Sequence, residues 1–277
     1  MTLDMDFLKD MVLEVYKHVK DLIGTKEGQK KLNRGAGGDI SMHIDVVAEK
    51  VVIEYLERHN VNALLISEEI GEVYVGEEAK AKEEQLKIIV DPIDGSNNSS
   101  RGIPFCSISI AVAKGNQLED IDKALVFDLT TQEIYWAEKG KGAYVNDRPI
   151  SVSERDWSDN LMFEIDFDLD SLKMALDKYI SLLEKIYRVR TMGSNALSFC
   201  LIAKGALDGF IDFRKTNRLM DIAAGYLLIK EAGGHMFSRK GSDLDIHLGL
   251  DAQFPLVASN AKLEPFLKKE LAKIENN

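Results

Sequence analysis

The sequence predicts an α+β fold, with an antiparallel-sheet N-terminal half over residues 1–152 and an α/β C-terminal half over 153–277. Between Phe105 and Asp147, short alternating apolar runs follow one another across turn residues, as locally paired strands do. Beyond residue 160, helical and strand patterns take turns, as in an α/β layer. The 277 residues are 45% hydrophobic and 29% charged, which suits a buried core without disulfide or metal staples.

Taken in order, Phe7, Leu8, Met11, Val12, Val15, Val19, Leu22 and Ile23 recur at helical spacing and predict a first helix. The polar, glycine-rich stretch from Gly24 to Asp39, with Lys30, Lys31 and Arg34, reads as a basic mobile loop or a solvated linker. A second helix fits Asp45–Arg58. A strand over Ala63–Ile66 ends at Ser67-Glu68-Glu69, and acidic residues 71–85 read as an exposed excursion. Leu86–Val90 is a buried strand ending at Asp91; Phe105–Val112 alternates as a half-buried strand, two more flank Asp128–Thr131, and Gly140–Asp147 adds a strand and turn. The second half predicts a helix at Leu169–Lys185, a strand at Ile186–Val189 and a helix from Gly193-Ser194 through Ala203. A strand at Leu207–Phe213, a helix at Asp221–Glu231 and Val257–Asn260 leading into a last helix complete it.

A net charge of −11 argues against a nucleic-acid surface but leaves room for a basic pocket. The acidic start is no secretory signal and no apolar stretch spans a bilayer, so the expected localisation is cytoplasmic, without a membrane partner. Cys106 and Cys200 each sit in an apolar run and read as separate buried thiols. The five histidines show no zinc-like grouping, His43 reading as satisfied or exposed.

The sharpest feature is Asp91-Pro92-Ile93-Asp94-Gly95-Ser96-Asn97. A buried strand delivers Asp91, and Pro92 cannot continue a central ladder, so Asp94 is free to turn back toward the same pocket. Gly95 permits close backbone approach, and Ser96-Asn97 opens a helix whose N–H groups can receive phosphate or are simply capped. Two acids around a proline suit a hard cation such as Mg²⁺, or equally a turn beside a hydrogen-bonded acceptor. Glu68, Glu69, Asp39, Asp45 and Asp221 stand at other strand ends and helix starts, where carboxylates also serve as caps. Arg214 and Arg218 suit a second phosphate, or surface pairing with Asp208 and Asp212.

The ordered blocks Asp39–Asp45, Ser67-Glu68-Glu69, Asp91–Ser96, Asp221–Gly225 and Glu231–Gly234 closely resemble the inositol monophosphatase family, over about Phe7 to Leu263. The resemblance implies a layered αβαβα sandwich and an oligomer, a homodimer as in most members or a tetramer as in some. It implies Mg²⁺-dependent hydrolysis of phosphate monoesters, with two or three ions per site and Mn²⁺ able to substitute. Carried over, it makes Glu68, Asp91, Asp94, Asp221 and the Ile93 carbonyl cation ligands, and Asp45 the acid that orders a bound water. Ser96 stands for the family's usual threonine and, with Glu68, orients the attacking water; Gly95 and Ser96 N–H groups cradle phosphate. A third ion is implied near Asp39 and Asp45, under a glycine loop at 35–38 that closes over substrate.

Met220 replaces the aromatic residue of animal members, and with Arg214 and Arg218 this resembles archaeal members that act on inositol 1-phosphate and fructose 1,6-bisphosphate. Arg190, Ser194 and Asn195 are the implied sugar-pocket contacts, Asn195 replacing a smaller residue, and Asp212 a partner for sugar hydroxyls. The stretch Asn98–Gly102 departs from the family's aromatic character. The rivals are a 3'(2'),5'-bisphosphate nucleotidase, for which no aromatic pair stands ready to stack on a base, and a non-catalytic regulatory homologue.

Overall fold

The computed structural model of the chain describes residues 3–36, 38, 40–214, 217–251 and 255–275. The first half runs α1 (Met5–Val19), β1 (Lys31–Arg34), β2 (Ile40–Met42), α2 (His43–Arg58), β3 (Ala63–Ser67), β4 (Gly71–Val75) and α3 (Glu78–Glu84). It continues through β5 (Leu86–Asp94), α4 (Ser96–Arg101), β6 (Ser107–Lys114), β7 (Ile121–Asp128), β8 (Ile134–Glu138), β9 (Gly142–Val145) and β10 (Arg148–Ile150). The second half is β11 (Met162–Asp166), α5 (Leu169–Leu183), β12 (Arg188–Arg190), α6 (Asn195–Ala203), β13 (Gly209–Asp212), α7 (Leu219–Glu231), β14 (His235–Ser238), β15 (Leu256–Ser259) and α8 (Glu264–Glu275).

An eight-stranded sheet in the order β10-β9-β8-β7-β6-β5-β3-β4 is antiparallel except where β3 meets β5. A five-stranded sheet, β12-β11-β13-β15-β14, is parallel at β12-β11-β13 and antiparallel beyond. Helices α1 and α2 bury Leu8, Met11, Val15 and Leu56 against one face of the large sheet. The nearly all-apolar α6 and α7 are sandwiched between the sheets, as a helix hydrophobic all round must be. Helices α5 and α8 cover the outer face of the small sheet around Phe163, Phe213 and Phe237. The layers are therefore αβαβα, and the middle core joins residues on both sides of Val152.

Several elements depart from the sequence expectations. The basic loop contributes β1, which pairs antiparallel with β2. The acidic excursion folds as β4, a hairpin partner of β3, followed by α3. Its charges masked the buried Val75, and Gly71 (φ +84°) makes the turn. Strand β11 is absent from the sequence expectations; its Glu164 and Asp166 alternate with apolar residues yet are buried too, each with its own partners. No helix among the described residues is long and apolar enough to cross a membrane.

Candidate active site

The site begins at an irregularity in β5. Asp91 lies opposite Ser109 and Asp94 opposite Ser107, so three steps along β5 match two along β6. The extra residue is a β-bulge at Pro92-Ile93, and it turns two side chains that would face opposite ways onto one face. Both carboxylates are buried. Gly95 (φ +86°) then reverses the chain into α4; a Cβ there would come within 3.0 Å of the Phe105 carbonyl and 3.1 Å of the Gly193 carbonyl.

Asp45 and Asp221 reach the same pocket by a shared device. Each is the third residue of its helix and accepts from the backbone N–H that opens it, Met42 at 2.8 Å and Arg218 at 3.1 Å. This is the carboxylate half of a capping box, and it fixes one oxygen while leaving the other for chemistry. The second oxygen of Asp45 accepts from Ser96 Oγ (3.0 Å), which also lies 2.9 Å from the Ile93 carbonyl. The second oxygen of Asp221 lies 3.3 Å from Arg218 Nη2, whose other arm pairs with Glu68.

Asp94 is held from the opposite half of the chain. Its Oδ2 accepts from Ser194 Oγ (2.6 Å) and from Ala196 N–H (2.7 Å) in the first turn of α6. Burial pushes its carboxyl up to about 7, the Asp221 charge adding to this and the hydrogen bonds opposing it. Burial likewise raises Asp45 to about 7 and Glu68 to about 8, in the latter against the pull of Arg218. Asp91 rises well above the ordinary carboxylate range through burial, then repulsion from Glu68, Asp94 and Asp221.

Asp91, Asp94 and Asp221 each bring a carboxylate oxygen within 4.8 Å of the others. Three buried carboxylates that repel one another, with only oxygen to offer, fit a hard divalent cation. Glu68 is not part of that group. Asp39, the acid implied for a third ion, lies outside the described residues.

The site opens into a cavity of about 570 Å³ that carries Lys31, Arg34 and Arg214 on its walls. Arg214 is fixed by Asp166 (2.8 Å) and Asp212 (2.9 Å). Asn195 lines the cavity between Asn217 and this ion-pair cluster. Three expected substrate contacts sit elsewhere. Asp212 is fully buried with its oxygens engaged by Arg214, and Asp166 instead faces the cavity. Arg190 is not among the lining residues; it lies on the exposed edge strand β12, donating to the Val189 carbonyl. Ser194 is 1% exposed and serves Asp94.

Sequence reasoning missed three supporting residues. Glu49 on α2 accepts from Ile70 N–H (3.0 Å) and steadies the turn that carries Glu68. Glu164, fully buried on β11, accepts from Met192 N–H (3.0 Å) and from Ser198 Oγ, fixing the wall at Gly193. Asn98 donates to the Phe105 and Met192 carbonyls, tying α4 to that wall and accounting for its place in the Asn98–Gly102 stretch. Their signal was faint because each acts through backbone groups far away in sequence.

Residues 4–275 match the inositol monophosphatase family. The chain is 34% identical to the fructose-1,6-bisphosphatase/inositol-1-monophosphatase of Methanothermobacter thermautotrophicus, covering 90% of this chain and 89% of that one. It is 35% identical to the bifunctional NADP phosphatase/NAD kinase of Methanococcus maripaludis over 94% of this chain, and spans about half (48%) of that longer relative. The crystal structure of an inositol monophosphatase–fructose 1,6-bisphosphatase superposes with a TM-score of 0.83, at 30% identity, covering 98% of this chain and 100% of that one. This chain belongs to the inositol monophosphatase family.

Proposed function

We propose that the chain hydrolyses small phosphate monoesters, inositol 1-phosphate and/or fructose 1,6-bisphosphate, in a Mg²⁺-dependent reaction. The observation that carries this is the convergence of Asp91, Asp94 and Asp221 beside the Ser96–Asp45 pair, at the floor of a cavity with arginine and lysine on its walls. Glu68, Asp91, the Ile93 carbonyl, Asp94 and Asp221 would hold the cations. Bound Mg²⁺ supplies charge neutralisation at the phosphoryl and leaving oxygens and makes water acidic enough to attack. Ser96 Oγ, steered by Asp45 and the Ile93 carbonyl, orients the attacking water by accepting from it. Asp45, titrating near neutrality, takes up the released proton. Arg214, locked by two carboxylates, offers its remaining guanidinium edge to a second anionic group, and Asp166 accepts from a sugar hydroxyl.

The likeness to an NADP phosphatase/NAD kinase supports a second reading, a nucleotide 2'-phosphate as substrate. No aromatic side chain lines the cavity among the described residues, which favours the polyol or sugar. We further infer a homodimer, supported by the apolar surface of Leu176, Ile180, Tyr187 and Val189 along α5 and the open edge β12. Arg188 and Arg190 stand exposed on β12, Asp177 on α5 and Glu184 at its C-cap, charges that would pair across a twofold axis. The test of function is phosphate release from inositol 1-phosphate, fructose 1,6-bisphosphate, adenosine 3',5'-bisphosphate and NADP, with and without Mg²⁺. Mg²⁺-dependent turnover of the first two is expected. Turnover confined to the nucleotides would overturn the substrate assignment, and no turnover of any would overturn the enzyme.

A further inference from the structure

Arg214 owes its place to the backbone just before it. Its own N–H donates to Asp212 Oδ1 (2.7 Å), so where β13 ends decides where the guanidinium starts. The pairing of β13 with β15 stops at Ile211↔Val257, and the two carbonyls that follow, those of Asp212 and Phe213, accept from Nη1 of Arg239 (3.4 and 3.2 Å). Arg239 lies just past β14 and is not among the residues lining the cavity. Its side chain is only 14% exposed, and its guanidinium lies over the Phe213 and Tyr179 rings, 5.9 and 5.8 Å from their centroids. Its Nε stands 3.4 Å from Glu275 Oε1, an ion pair without hydrogen-bond alignment, and Tyr179 on α5 donates to the same Glu275 on α8. A shielded guanidinium is desolvated at a cost that its partners must offset. Every partner here belongs either to the outer helical layer and its core or to the backbone that leads into Arg214.

We propose that Arg239 is a positioning residue: from outside the cavity it fixes the backbone that carries Arg214, and so governs binding of a substrate's second phosphate without touching the substrate. The proposal rests on the reading of Arg214 given above and deepens it. Asp212 sends its side chain to Arg214, while Phe213 sends its ring into the outer core, so their two carbonyls lie where the cavity wall and the α5–α8 layer meet. Arg239 is bonded to both. A guanidinium locked by Asp166 and Asp212 has one edge left to offer, and a backbone shift of about 1 Å aims that edge away from phosphate. Substrate preference is thereby tied to the last helix, through Glu275, and not to cavity residues alone.

The test is steady-state phosphate release by the full chain in Mg²⁺, on fructose 1,6-bisphosphate and inositol 1-phosphate in parallel. Arg239→Met keeps an apolar stem and loses the donors. It should raise KM for fructose 1,6-bisphosphate about 3- to 10-fold with kcat within about twofold, and leave KM for inositol 1-phosphate within about twofold. Glu275→Gln, a milder change that keeps an acceptor for Tyr179, should move KM the same way by less. In an Arg214→Gln background, Arg239→Met should add nothing to KM, since it acts through that side chain; a through-space charge effect would add in full. Leu271→Ala loosens the same outer core and makes none of these polar contacts, so it should lower the melting temperature and leave the ratio of the two KM values within about twofold. An unchanged KM ratio in Arg239→Met, full additivity with Arg214→Gln, or an equal change of ratio in Leu271→Ala would each overturn the proposal. If the wild type does not turn over fructose 1,6-bisphosphate, or Arg214→Gln leaves its KM unchanged, the reading of Arg214 fails and this inference with it. A clear Arg214 effect with none from Arg239 sinks this inference alone.

Discussion

Replacing Asp94 with asparagine should make the chain more stable while removing its activity, provided chelator is present and the pH is high. In the fold, burial and the neighbouring Asp221 raise the Asp94 carboxyl to about 7, against an ordinary value of 3.8. A group whose folded pKa is raised favours the fold only while it is protonated. That contribution is complete below pH 4 and is lost as pH rises through 7. At pH 8 the fold must hold this carboxylate charged, at a cost of about 4 kcal/mol; at pH 5 the cost is less than half of that. Asparagine keeps the oxygen that accepts from Ser194 Oγ and Ala196 N–H, and its amide can donate toward Asp221. Allowing for imperfect placement, a gain of about 2–4 kcal/mol is expected at pH 8, or roughly 5–10 °C in melting temperature for a chain of this size. The assay is thermal unfolding followed by circular dichroism, in EDTA at pH 5 and pH 8 and again in saturating Mg²⁺. The wild type should gain strongly from Mg²⁺ at pH 8 and the variant little. A variant that melts at or below the wild type at pH 8 in EDTA, or whose advantage is as large at pH 5, would refute the reasoning.

Three further outcomes are expected. Ser96→Ala should lower kcat about 10- to 100-fold with little change in KM, whereas Ser96→Thr should stay near wild type, because only the hydroxyl between Asp45 and the Ile93 carbonyl orients water; steady-state phosphate release checks this. Arg214→Gln should raise KM for fructose 1,6-bisphosphate about tenfold or more and for inositol 1-phosphate much less, since only the former carries a second phosphate; parallel kinetics on the two substrates decide it. Val189→Asp should turn a dimer into a monomer by placing a charge on the open edge of β12, as read by light scattering after gel filtration.

The acids of the site are legible as a set through the family resemblance, although each also carries a local mark that by itself leaves a cap or a turn as an equal reading. Asp91 and Asp94 straddle a proline at the end of an apolar strand, and the bulge at Pro92-Ile93 follows from proline's inability to pair there. Asp45 and Asp221 begin amphipathic or apolar helices, where a carboxylate reads as a cap, and the structure uses one oxygen of each in that way. What a cap cannot reveal is where its other oxygen points, since this depends on helices α2 and α7 starting at the same end of the large sheet. The same limit explains the arginines. Arg214 and Arg218 are four residues apart and look alike in sequence, yet the first is anchored by Asp166 on β11 and the second by Glu68 beyond β3. Their partners lie 48 and 150 positions away, so the difference between a guanidinium held by Asp166 and Asp212 and one held by Glu68 and Asp221 exists only once both sheets are assembled. Strand β11 makes the point from the other direction. Neither its Glu164 nor its Asp166 is named in the sequence expectations, yet one holds the Gly193 wall and the other holds Arg214. Buried charge is tolerated at such positions only when fully partnered. Polar residues that break an otherwise apolar strand are therefore where a sequence reading of this fold should look next for the walls of its cavity.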